Sequence, residues 1–483
     1  MIVGTASHAG KSVLVTALCR ILRQRGVRVT PFKSQNMALN SYVCRDGSEI
    51  GRAQVAQAEA AGVEPEMDMN PILLKPTKNG QIQVVLQGRV YRTMSAGEYY
   101  EQKRFFFEKS LESFHRLASK FDVILLEGAG SVAEVNLKDR DIVNLPFAKE
   151  VGALAILVAD IDRGGVFASI VGTFAVLEDE ERALIRGFII NRFRGDIRLF
   201  GGGPEFLERR TNRPCLGVLP YIESLRIDQE DSVSLEDHLR SDGAFRVGVI
   251  RLPHISNYTD FNPLDCVAGV TLEYLNSPET SRSPDLLIIP GSKNTIADLR
   301  WLVECGFKKM LLDVLKRGGW VLGICGGYQM LGTTIADPFG VEEGGAEPGL
   351  DLLPVETELD MNKVTVQSRG RSFLGSEVGG YEIHMGRTKP ATAVDPFLIK
   401  EDGQKDGAVV EHVAGTYFHG LFENTNFTER FLSVAAESRG LEWRPGPVRY
   451  SKEAEYERLA GVVSEHLNLE RILSFLPDWK SCL

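Results

Sequence analysis

The chain has 483 residues, of which 43% are hydrophobic and 25% are charged, and its formal net charge is −10 at pH 7. This length predicts two domains of about 200 residues each, and the acidic balance argues against sequence-independent binding to nucleic acid. The 7 cysteines form no CxxC pair, and neither a signal-peptide pattern nor a long apolar run is found, so we expect a cytoplasmic protein with reduced thiols and no membrane contact.

Short apolar runs alternate with helix-like segments along the first part of the chain. Uninterrupted apolar runs bounded by turn residues predict strands that are covered on both faces. These runs lie at 121–128, 154–160, 187–192 and 215–220. The amphipathic stretch from Val13 to Arg25, followed by Gly26, predicts a helix. The alternation predicts a doubly wound α/β domain with a mostly parallel sheet.

A polar, acidic segment at 224–245 separates this series from a second one, so the domain boundary is placed there. The second series predicts strands at 246–253, 285–291, 320–324 and 415–420. Loops or edge hairpins are expected over 333–380. The fold class is therefore α/β, with two doubly wound domains. The predicted units are a first domain over 1–230, a linker over 231–245, a second domain over 246–440, and a helical extension of that second domain over 441–483.

The stretch VGTASHAGKS, at 3–12, is the strongest phosphate-binding signal. A glycine-rich turn between a strand and a helix directs backbone N–H groups and the helix dipole at anionic oxygens. A standard P-loop has about four residues between its glycines. Gly4 and Gly10 are one residue further apart, so we interpret the stretch as a variant in which Thr5 takes the first-glycine position. Thr5, Gly10, Lys11 and Ser12 are the predicted nucleotide-binding residues, and a chance Gly-Lys-Ser is the alternative.

Acidic residues follow several of the predicted strands in this domain. Since ligands bind at the carboxyl ends of strands in open α/β sheets, Glu127 and Ser12 are the predicted ligands of Mg²⁺. Asp139 and Asp141 lie in the next loop, and Asp160 and Asp162 follow another strand. Asp141 is the favoured catalytic candidate among them, although a loop aspartate is more often a turn former.

Two further stretches, PFKSQNMALNS at 31–41 and NPILLKPT at 70–77, crowd lysine and amide side chains beside small residues. Such side chains suit hydrogen bonding to a polar substrate, and a role as simple connectors remains equally open. The candidate substrate-binding residues are Lys33, Gln35, Asn36, Asn70 and Lys75.

The stretch GICGGYQMLG, at 323–332, follows the apolar run WVLGI and places Cys325 between glycines. This pattern is typical of a nucleophile elbow, in which a strained turn presents the thiol at a helix N-terminus that stabilises the thiolate. The N–H groups of Gly326 and of Gly291, in the turn PGSKNT, are the predicted oxyanion donors. A buried, inert cysteine is the alternative interpretation.

A cysteine nucleophile needs a general base. His419, in TYFHGLFEN, is predicted to lie at a strand end, and His384, in GYEIHMG, is the rival candidate. A lone histidine at a strand end is usually structural, but a cysteine elbow in the same domain favours catalysis for one of the two.

Together these motifs resemble known enzymes. GICGGYQMLG with GTYFHG resembles the class I (triad-type) glutamine amidotransferases, and the N-terminal half resembles the dethiobiotin-synthetase-like P-loop enzymes. The ordered set that also includes VADIDRGGVFAS, PGSKNT and GYEIHMGRT resembles the cobyric acid synthase family over nearly the whole chain. The resemblance implies ATP- and glutamine-dependent amidation of the b, d, e and g carboxylates of the corrinoid adenosylcobyrinic acid a,c-diamide.

The resemblance also implies roles for individual residues. Cys325 matches the family's glutamine-attacking cysteine, His419 its base and Asp141 an active-site aspartate of the synthetase half. The wider amidotransferase class follows its histidine with Pro-Glu, whereas Gly420 and Leu421 stand here. The third triad member is therefore missing or supplied elsewhere, and we interpret the site as a Cys-His dyad.

Two other functions fit part of the pattern. A sibling ligase that amidates the a and c carboxylates has its motifs in a different order, and KSQNMALNS argues against it. A non-enzymatic ParA-like switch would bind ATP, but it needs neither a cysteine elbow nor a partner histidine. The oligomeric state is left open by the sequence.

Overall fold

The structure is a computed structural model that describes residues 1–77, 80–223, 225–227, 243–279, 282–448 and 450–476. It contains two α/β units, which we call the first half (1–227) and the second half (243–448). Each is built on a mostly parallel sheet, as predicted. Most of the predicted linker at 231–245 lies outside the described residues.

The first half begins with a short strand that becomes central to its sheet. Its strands are β1 (Ile2–Gly4), β2 (Val29–Phe32), β3 (Gln35–Met37), β4 (Ser41–Val43), β5 (Glu49–Gly51), β6 (Ile72–Pro76), β7 (Gln81–Leu86), β8 (Arg89–Ser95), β9 (Val123–Leu126), β10 (Ala155–Asp160), β11 (Ile185–Phe193) and β12 (Cys215–Pro220). Strands β1, β10, β11 and β12 pair in parallel in that order, and β2 pairs with β9. A parallel bridge between Ile2 and Glu127 joins β9 to β1. The carboxyl ends of these strands therefore share one edge.

Helices cover both faces of this sheet. They are α1 (Lys11–Gln24), α2 (Arg52–Ala61), α3 (Ala96–Glu101), α4 (Lys103–Ala118), α5 (Leu145–Glu150), α6 (Val166–Val176), α7 (Asp179–Leu184) and α8 (Gly203–Thr211). Helix α1 forms because Leu14, Leu18 and Ile21 recur on one face and are buried there. It ends where predicted, since Gly26 adopts a left-handed φ of 77° and its N–H donates to Arg23.

A smaller sheet lies beside this core, where the sequence predicted loops. Strands β3, β6, β7 and β8 pair in that order, and β4 and β5 form a separate hairpin. The lysine- and amide-rich stretches at 31–41 and 70–77 thus contribute strands as well as loops. This hairpin, β4–β5, projects toward the second half.

The second half is a further α/β unit. Its strands are β13 (Phe245–Ile250), β14 (Ile255–Ser256), β15 (Val270–Leu275), β16 (Leu286–Ile289), β17 (Gly291–Ser292), β18 (Trp320–Ile324), β19 (Thr334–Asp337), β20 (Gly345–Pro348), β21 (Val355–Ser372), β22 (Glu377–Pro390), β23 (Leu398–Lys400), β24 (Lys405–Asp406), β25 (Ala408–Val410) and β26 (Val413–Thr416). The main sheet has the order β15-β13-β16-β18-β26-β25 and is parallel except for β25. Its helices are α9 (Thr295–Glu304), α10 (Phe307–Lys316), α11 (Gly326–Leu331) and α12 (Thr425–Ser438).

The region predicted as loops or edge hairpins contains a long antiparallel hairpin, β21–β22, of 18 and 14 residues. It reaches the β4–β5 hairpin of the first half. Thr365 donates to the carbonyl of Gly47 at 2.9 Å, and Gln367 donates to the carbonyl of Val43 at 3.0 Å. The two halves are therefore in direct contact through these hairpins.

The C-terminal segment packs differently from the prediction, which made 441–483 an extension of the second domain. Helices α13 (Lys452–His466) and α14 (Leu469–Leu473) return to the first half. Tyr456 and Leu459 are buried in the same apolar cluster as Leu14 and Leu18 of α1, and the Tyr456 hydroxyl donates to Glu59 at 2.6 Å. The apolar face of α13 matches α1, so burial there determines its position. Across the described ranges, no helix is long and apolar enough to cross a bilayer.

Candidate active sites

Cys325 occupies the turn between β18 and α11. Its φ of 53° and ψ of −109° are strained for a residue with a Cβ. The flanking glycines are required by close approach, because a Cβ at Gly323 would lie 2.5 Å from the Gly327 carbonyl oxygen, and one at Gly327 would lie 2.0 Å from that of Ile289. The strained turn expected of a nucleophile elbow is therefore present. The thiol is buried, and it donates to the Ile383 carbonyl at 3.5 Å.

His419 lies three residues beyond the end of β26 and is buried. Its Nδ1 is 2.6 Å from Oδ2 of Asp260, and the other carboxylate oxygen accepts the N–H of Gly420 at 3.1 Å. The imidazole also stacks on Tyr381, with ring centroids 5.3 Å apart. Its Nε2 makes no hydrogen bond with the described residues. Nδ1 of the imidazole is thus held by Asp260, and Nε2 is available for proton transfer.

The pKa of His419 reflects this environment. Burial lowers it, but the charge and hydrogen bond of Asp260 raise it more, and the nearby Cys325 adds to the rise, so that the pKa is raised to about 10. A protonated imidazole beside the thiol favours a thiolate–imidazolium pair. Asp260 is therefore a candidate third member supplied from elsewhere in the chain, in addition to the predicted Cys-His dyad, and the catalytic role of these residues stays a prediction.

Asp260 is the functional candidate that sequence reasoning missed. It lies in a 3-10 turn, Tyr258–Cys266, 159 residues before His419. The only available signal was its place shortly after the first strand of the second half, at the shared carboxyl edge of the sheet. The aspartate thus takes the orienting position that the wider class fills with a glutamate next to its histidine.

His384, the rival base, has a different environment. Its Nδ1 donates to the Gly386 carbonyl at 2.8 Å, and its ring stacks on Tyr417 at 3.7 Å between centroids. Its Nε2 lies 3.6 Å from Glu382. His384 lines the same cleft as Cys325, but Asp260 bonds the ring of His419 instead.

The two predicted oxyanion loops meet beside Cys325. A Cβ added at Gly326 would lie 2.9 Å from the backbone N of Ser292, and one at Gly291 would lie 3.3 Å from Cε1 of His419. Gly326 begins α11, and Gly291 lies in β17. Their assignment as oxyanion donors stays a prediction, and the geometry brings both glycines to the catalytic candidates.

The cleft at Cys325 has an open volume of about 590 Å³ and is lined by both halves. The first half contributes Leu39, Ser41 and Lys75. Lys75 is buried, and it donates to the Ser41 hydroxyl at 2.8 Å and to Glu49 at 2.5 Å. The structure therefore places this predicted corrinoid-binding residue beside Cys325.

The loop at 4–12 leads from β1 into α1, as predicted. Gly10 precedes α1 with a left-handed φ of 98°. Lys11 folds back so that its ammonium donates to the carbonyls of Ala6 at 3.0 Å and Gly130 at 2.8 Å. The N–H of Thr5 donates to the Val158 carbonyl at 3.0 Å, which ties the loop to β10.

Asn191, which sequence reasoning did not select, supports this loop from the end of β11. Its side-chain amide donates to the Ala9 carbonyl at 2.9 Å. A Cβ at Gly10 would lie 2.0 Å from that amide nitrogen, so only glycine fits there. The signal in the sequence was an asparagine at the end of a predicted strand.

Glu127 and Ser12, the two predicted metal ligands, are brought together at 2.8 Å. Glu127 is 1% exposed, and it also accepts from Lys33 at 2.9 Å and from Gln57 at 2.5 Å. Burial raises the pKa of Glu127, but the Lys33 ammonium and these hydrogen bonds lower it by more than burial raises it. The pKa of Glu127 is therefore below its usual value. A carboxylate and a hydroxyl oxygen fit Mg²⁺, which binds proteins through few ligands beside phosphate and water. No cluster of three or more acidic, His or Cys metal ligands occurs within the described ranges.

Asp141 forms a side-chain-to-backbone turn in the loop just before α5. Its carboxylate accepts the N–H groups of Val143 at 2.7 Å and Asn144 at 2.9 Å. The Asn144 side chain in turn bonds both backbone groups of Ala129, two residues after Glu127. Asp141 therefore lies close to the predicted metal position, and its catalytic role stays a prediction.

The remaining strand-end aspartates form ion pairs on the protein itself. Asp160 pairs with Arg192 at 3.0 Å, and Asp162 pairs with Arg194 at 2.7 Å. Asp139 is exposed. Asp160 and Asp162 thus have the structural role that is more usual for loop aspartates.

The amide side chains predicted to bind substrate make internal hydrogen bonds. Asn36 donates to Gln54 at 2.9 Å, and Gln35 accepts from the Tyr99 hydroxyl at 2.6 Å. Asn70 donates to the carbonyl of Lys33 at 3.1 Å. These bonds attach β3 to α2 and α3 and attach Asn70 to the segment before β3, and substrate binding by these side chains stays a prediction.

Fold and sites define an enzyme of the glutamine amidotransferase class with a nucleotide-binding domain in the same chain. Residues 246–427 match the family model described as "CobB/CobQ-like glutamine amidotransferase domain", and residues 1–235 match "CobQ/CobB/MinD/ParA nucleotide binding domain".

Relatives that match nearly the whole chain identify the family within this class. A cobyric acid synthase of Caldanaerobacter subterraneus subsp. tengcongensis is 47% identical, covering 99% of both chains. One from Streptococcus sanguinis is 46% identical, covering 99% of this chain and 98% of its own. A solved structure described as "Crystal structure of glutamine amidotransferase" covers 40% of this chain and 99% of its own, with 16% identity and a TM-score of 0.32. The chain belongs to the cobyric acid synthase family.

Proposed function

We propose that this chain amidates the b, d, e and g side-chain carboxylates of adenosylcobyrinic acid a,c-diamide to give adenosylcobyric acid, using ATP and L-glutamine. One observation carries the proposal: a single chain holds a Cys-His-Asp arrangement in one half and a P-loop with a buried acidic partner in the other. Relatives of matching length and 46–47% identity, all named cobyric acid synthase, support the choice of substrate.

The first step activates a carboxylate, because a carboxylate is a poor acyl donor. Its oxygen attacks the γ-phosphorus of ATP, which gives an acyl phosphate and ADP. Lys11 exchanges its backbone partners for the outer phosphates, and the N–H groups at the start of α1 stabilise charge on the transferring group. Ser12 and Glu127 would hold Mg²⁺, which supplies positive charge next to the phosphates.

The second half releases ammonia from glutamine. The Cys325 thiolate attacks the side-chain amide carbon while the His419 imidazolium gives its proton to the departing nitrogen, which leaves as ammonia. Water, deprotonated by His419, then hydrolyses the glutamyl thioester to glutamate and restores the ion pair. Asp260 keeps the imidazole in orientation throughout.

Ammonia then attacks the acyl phosphate and expels inorganic phosphate, which forms the amide. Ammonia that escapes to water is protonated and lost as a nucleophile, so transfer inside the molecule is expected. The contribution of Leu39, Ser41 and Lys75 to the cleft at Cys325 supports a route that begins at the contact between the halves.

The test is mass spectrometry of adenosylcobyrinic acid a,c-diamide incubated with the protein, ATP, Mg²⁺ and glutamine. Each conversion replaces OH by NH₂, so a series of successive products ending with the b, d, e and g amides is expected. Omission of ATP should stop the series. A substrate whose mass never changes would refute the reaction class. With the fully acidic precursor as the substrate, conversion of only the a and c positions would favour the sibling ligase.

A further inference from the structure

Three lysine side chains converge on the cleft beside Cys325, and we call them the lysine cluster: Lys75, Lys293 and Lys363. Lys75 comes from β6 of the first half, and Lys363 comes from β21 of the second. Lys293 directly follows β17, next to the predicted oxyanion loop. Three lysine side chains therefore share one space with the catalytic candidates.

Two members of the cluster share one anion. Oε1 of Glu49 lies 2.5 Å from Nζ of Lys75, and Oε2 lies 2.5 Å from Nζ of Lys363. Glu49 is 1% exposed. Burial raises the pKa of Glu49, but the two ammonium groups lower it far more, so it stays ionised. Two ammonium groups therefore share one carboxylate, and the group of three side chains has a net positive charge.

The third member has no such partner. Nζ of Lys293 makes no hydrogen bond or ion pair with the described residues. Burial lowers the pKa of Lys293 to about 7, the positive charges of Lys363 and Lys75 lower it as well, and the negative charges of Glu342 and Glu49 partly offset this. Glu342, the acidic residue on the same cleft, is already engaged by the hydroxyl of Thr295 at 3.2 Å and by the N–H of Ile296 at 3.1 Å, at the start of α9.

The cleft thus contains more positive than negative charge in a place where unbalanced charge is costly. Glutamine brings an anion of its own, since its α-carboxylate lies at the opposite end of the molecule from the amide that Cys325 attacks. We propose that the lysine cluster binds the α-carboxylate of glutamine, so that the first half supplies part of the nitrogen-donor site. This inference rests on the proposed function.

The test compares glutamine with 4-aminobutanamide, which has the same amide and amine but no carboxylate. Ammonia release is measured for wild type and for Lys293→Met, Lys75→Met and Lys363→Met. We expect each variant to lower the ratio of kcat/KM for glutamine to that for the analogue at least about tenfold, mainly through KM for glutamine. Lys293→Arg should recover part of the ratio, because it keeps the charge. Lys389→Met, on an exposed position of β22, is the matched control and should keep the wild-type ratio.

Two results would overturn the inference. Equal losses with glutamine and with the analogue would show that the lysines only maintain the structure of the cleft. Losses of the same size when ammonium chloride is the nitrogen source would show that the cluster serves the carboxylate acceptor instead. A Cys325→Ser variant that still used glutamine would refute the proposed function itself, whereas an unchanged substrate ratio in the lysine variants alone would refute only this inference.

Discussion

The two candidate sites of this molecule differ in what their key side chains contact. In the second half, Cys325 already lies on its strained turn, and His419 is already fixed by Asp260 with Nε2 unbonded. In the first half, the groups that would meet the nucleotide bond to the protein instead. Lys11 binds two loop carbonyls, and Glu127 is surrounded by donors.

The difference has a physical basis. A nucleophile and its base act on a small neutral amide, so they gain from being held in place beforehand. Buried cationic and polar groups are costly when unpaired, and those of the first half are paired with other protein groups. The proposed mechanism therefore requires an exchange of hydrogen-bond partners in the first half and no such exchange at Cys325 and His419. The following variants test this contrast.

Cys325→Ser should have the largest effect. The hydroxyl is not ionised by His419, so glutamine-dependent amidation should fall at least about 10³-fold. Amidation with ammonium chloride should persist, since it bypasses the thiol. Both rates are measured by mass spectrometry of the corrinoid. A folded variant that also failed with ammonium would contradict the division of labour between the halves.

Lys11→Ala should reduce amidation from either nitrogen source by at least about 10²-fold, because the charge that stabilises phosphoryl transfer is lost. The measurement is ADP formation alongside the amide product. Lys149→Ala, an exposed lysine of α5, is the matched control. Unchanged rates for Lys11→Ala would show that the loop at 4–12 is not the phosphate site.

Asp260→Asn should lower glutamine-dependent kcat by about 10²-fold through loss of imidazole orientation. The active imidazolium exists below the pKa of His419, which Asp260 helps to raise to about 10. Without that charge the pKa falls, so the alkaline limb of the pH–rate profile should move to lower pH. Asp265→Asn, in the same 3-10 turn, should keep the wild-type limb. An unmoved limb in Asp260→Asn would refute the triad geometry.

Leu459→Ala should leave both chemistries intact at low temperature and destabilise the first half by about 2–5 kcal/mol, since this fully buried side chain of α13 packs in the cluster that contains α1. Differential scanning calorimetry with and without ATP identifies the affected transition, because ATP raises the unfolding temperature of the part that binds it. Glu465→Ala, exposed on the same helix, should change neither transition. A loss confined to the second half would contradict the packing of α13.

Most of the correct predictions came from patterns among residues that are neighbours in the sequence. Most strands of both main sheets, the glycine turn before α1 and the turn at Cys325 depend on neighbouring residues, and these appear where expected. The strand predicted at 415–420 instead covers Val413–Thr416, and β2, β15 and β25 were not predicted. Asp260 could not be predicted as the partner of His419, because 159 residues separate them and only the fold joins them. The position of Lys75 beside Cys325 could not be predicted either, because it depends on the contact between the halves; its predicted role in substrate binding stays a prediction.

The destination of the C-terminal helix was also hidden in the sequence. The amphipathic pattern of α13 indicates that an apolar face is buried, but it does not say against which domain. The answer depends on the apolar face of α1, including Leu14 and Leu18, and on an ion pair between Arg20 and Glu457 that crosses 437 positions.

The return of α13 makes the nucleotide-binding domain discontinuous, with the amidotransferase domain inserted between its main part and its last helices. Proteolysis within 228–242 would therefore not release two independent domains, because α13 would still attach the C-terminal fragment to α1. An amidotransferase domain made alone should end before Ser451, so that it does not expose the apolar face of α13. In such an insertion, any rotation of one domain against the other is limited by two chain connections rather than one.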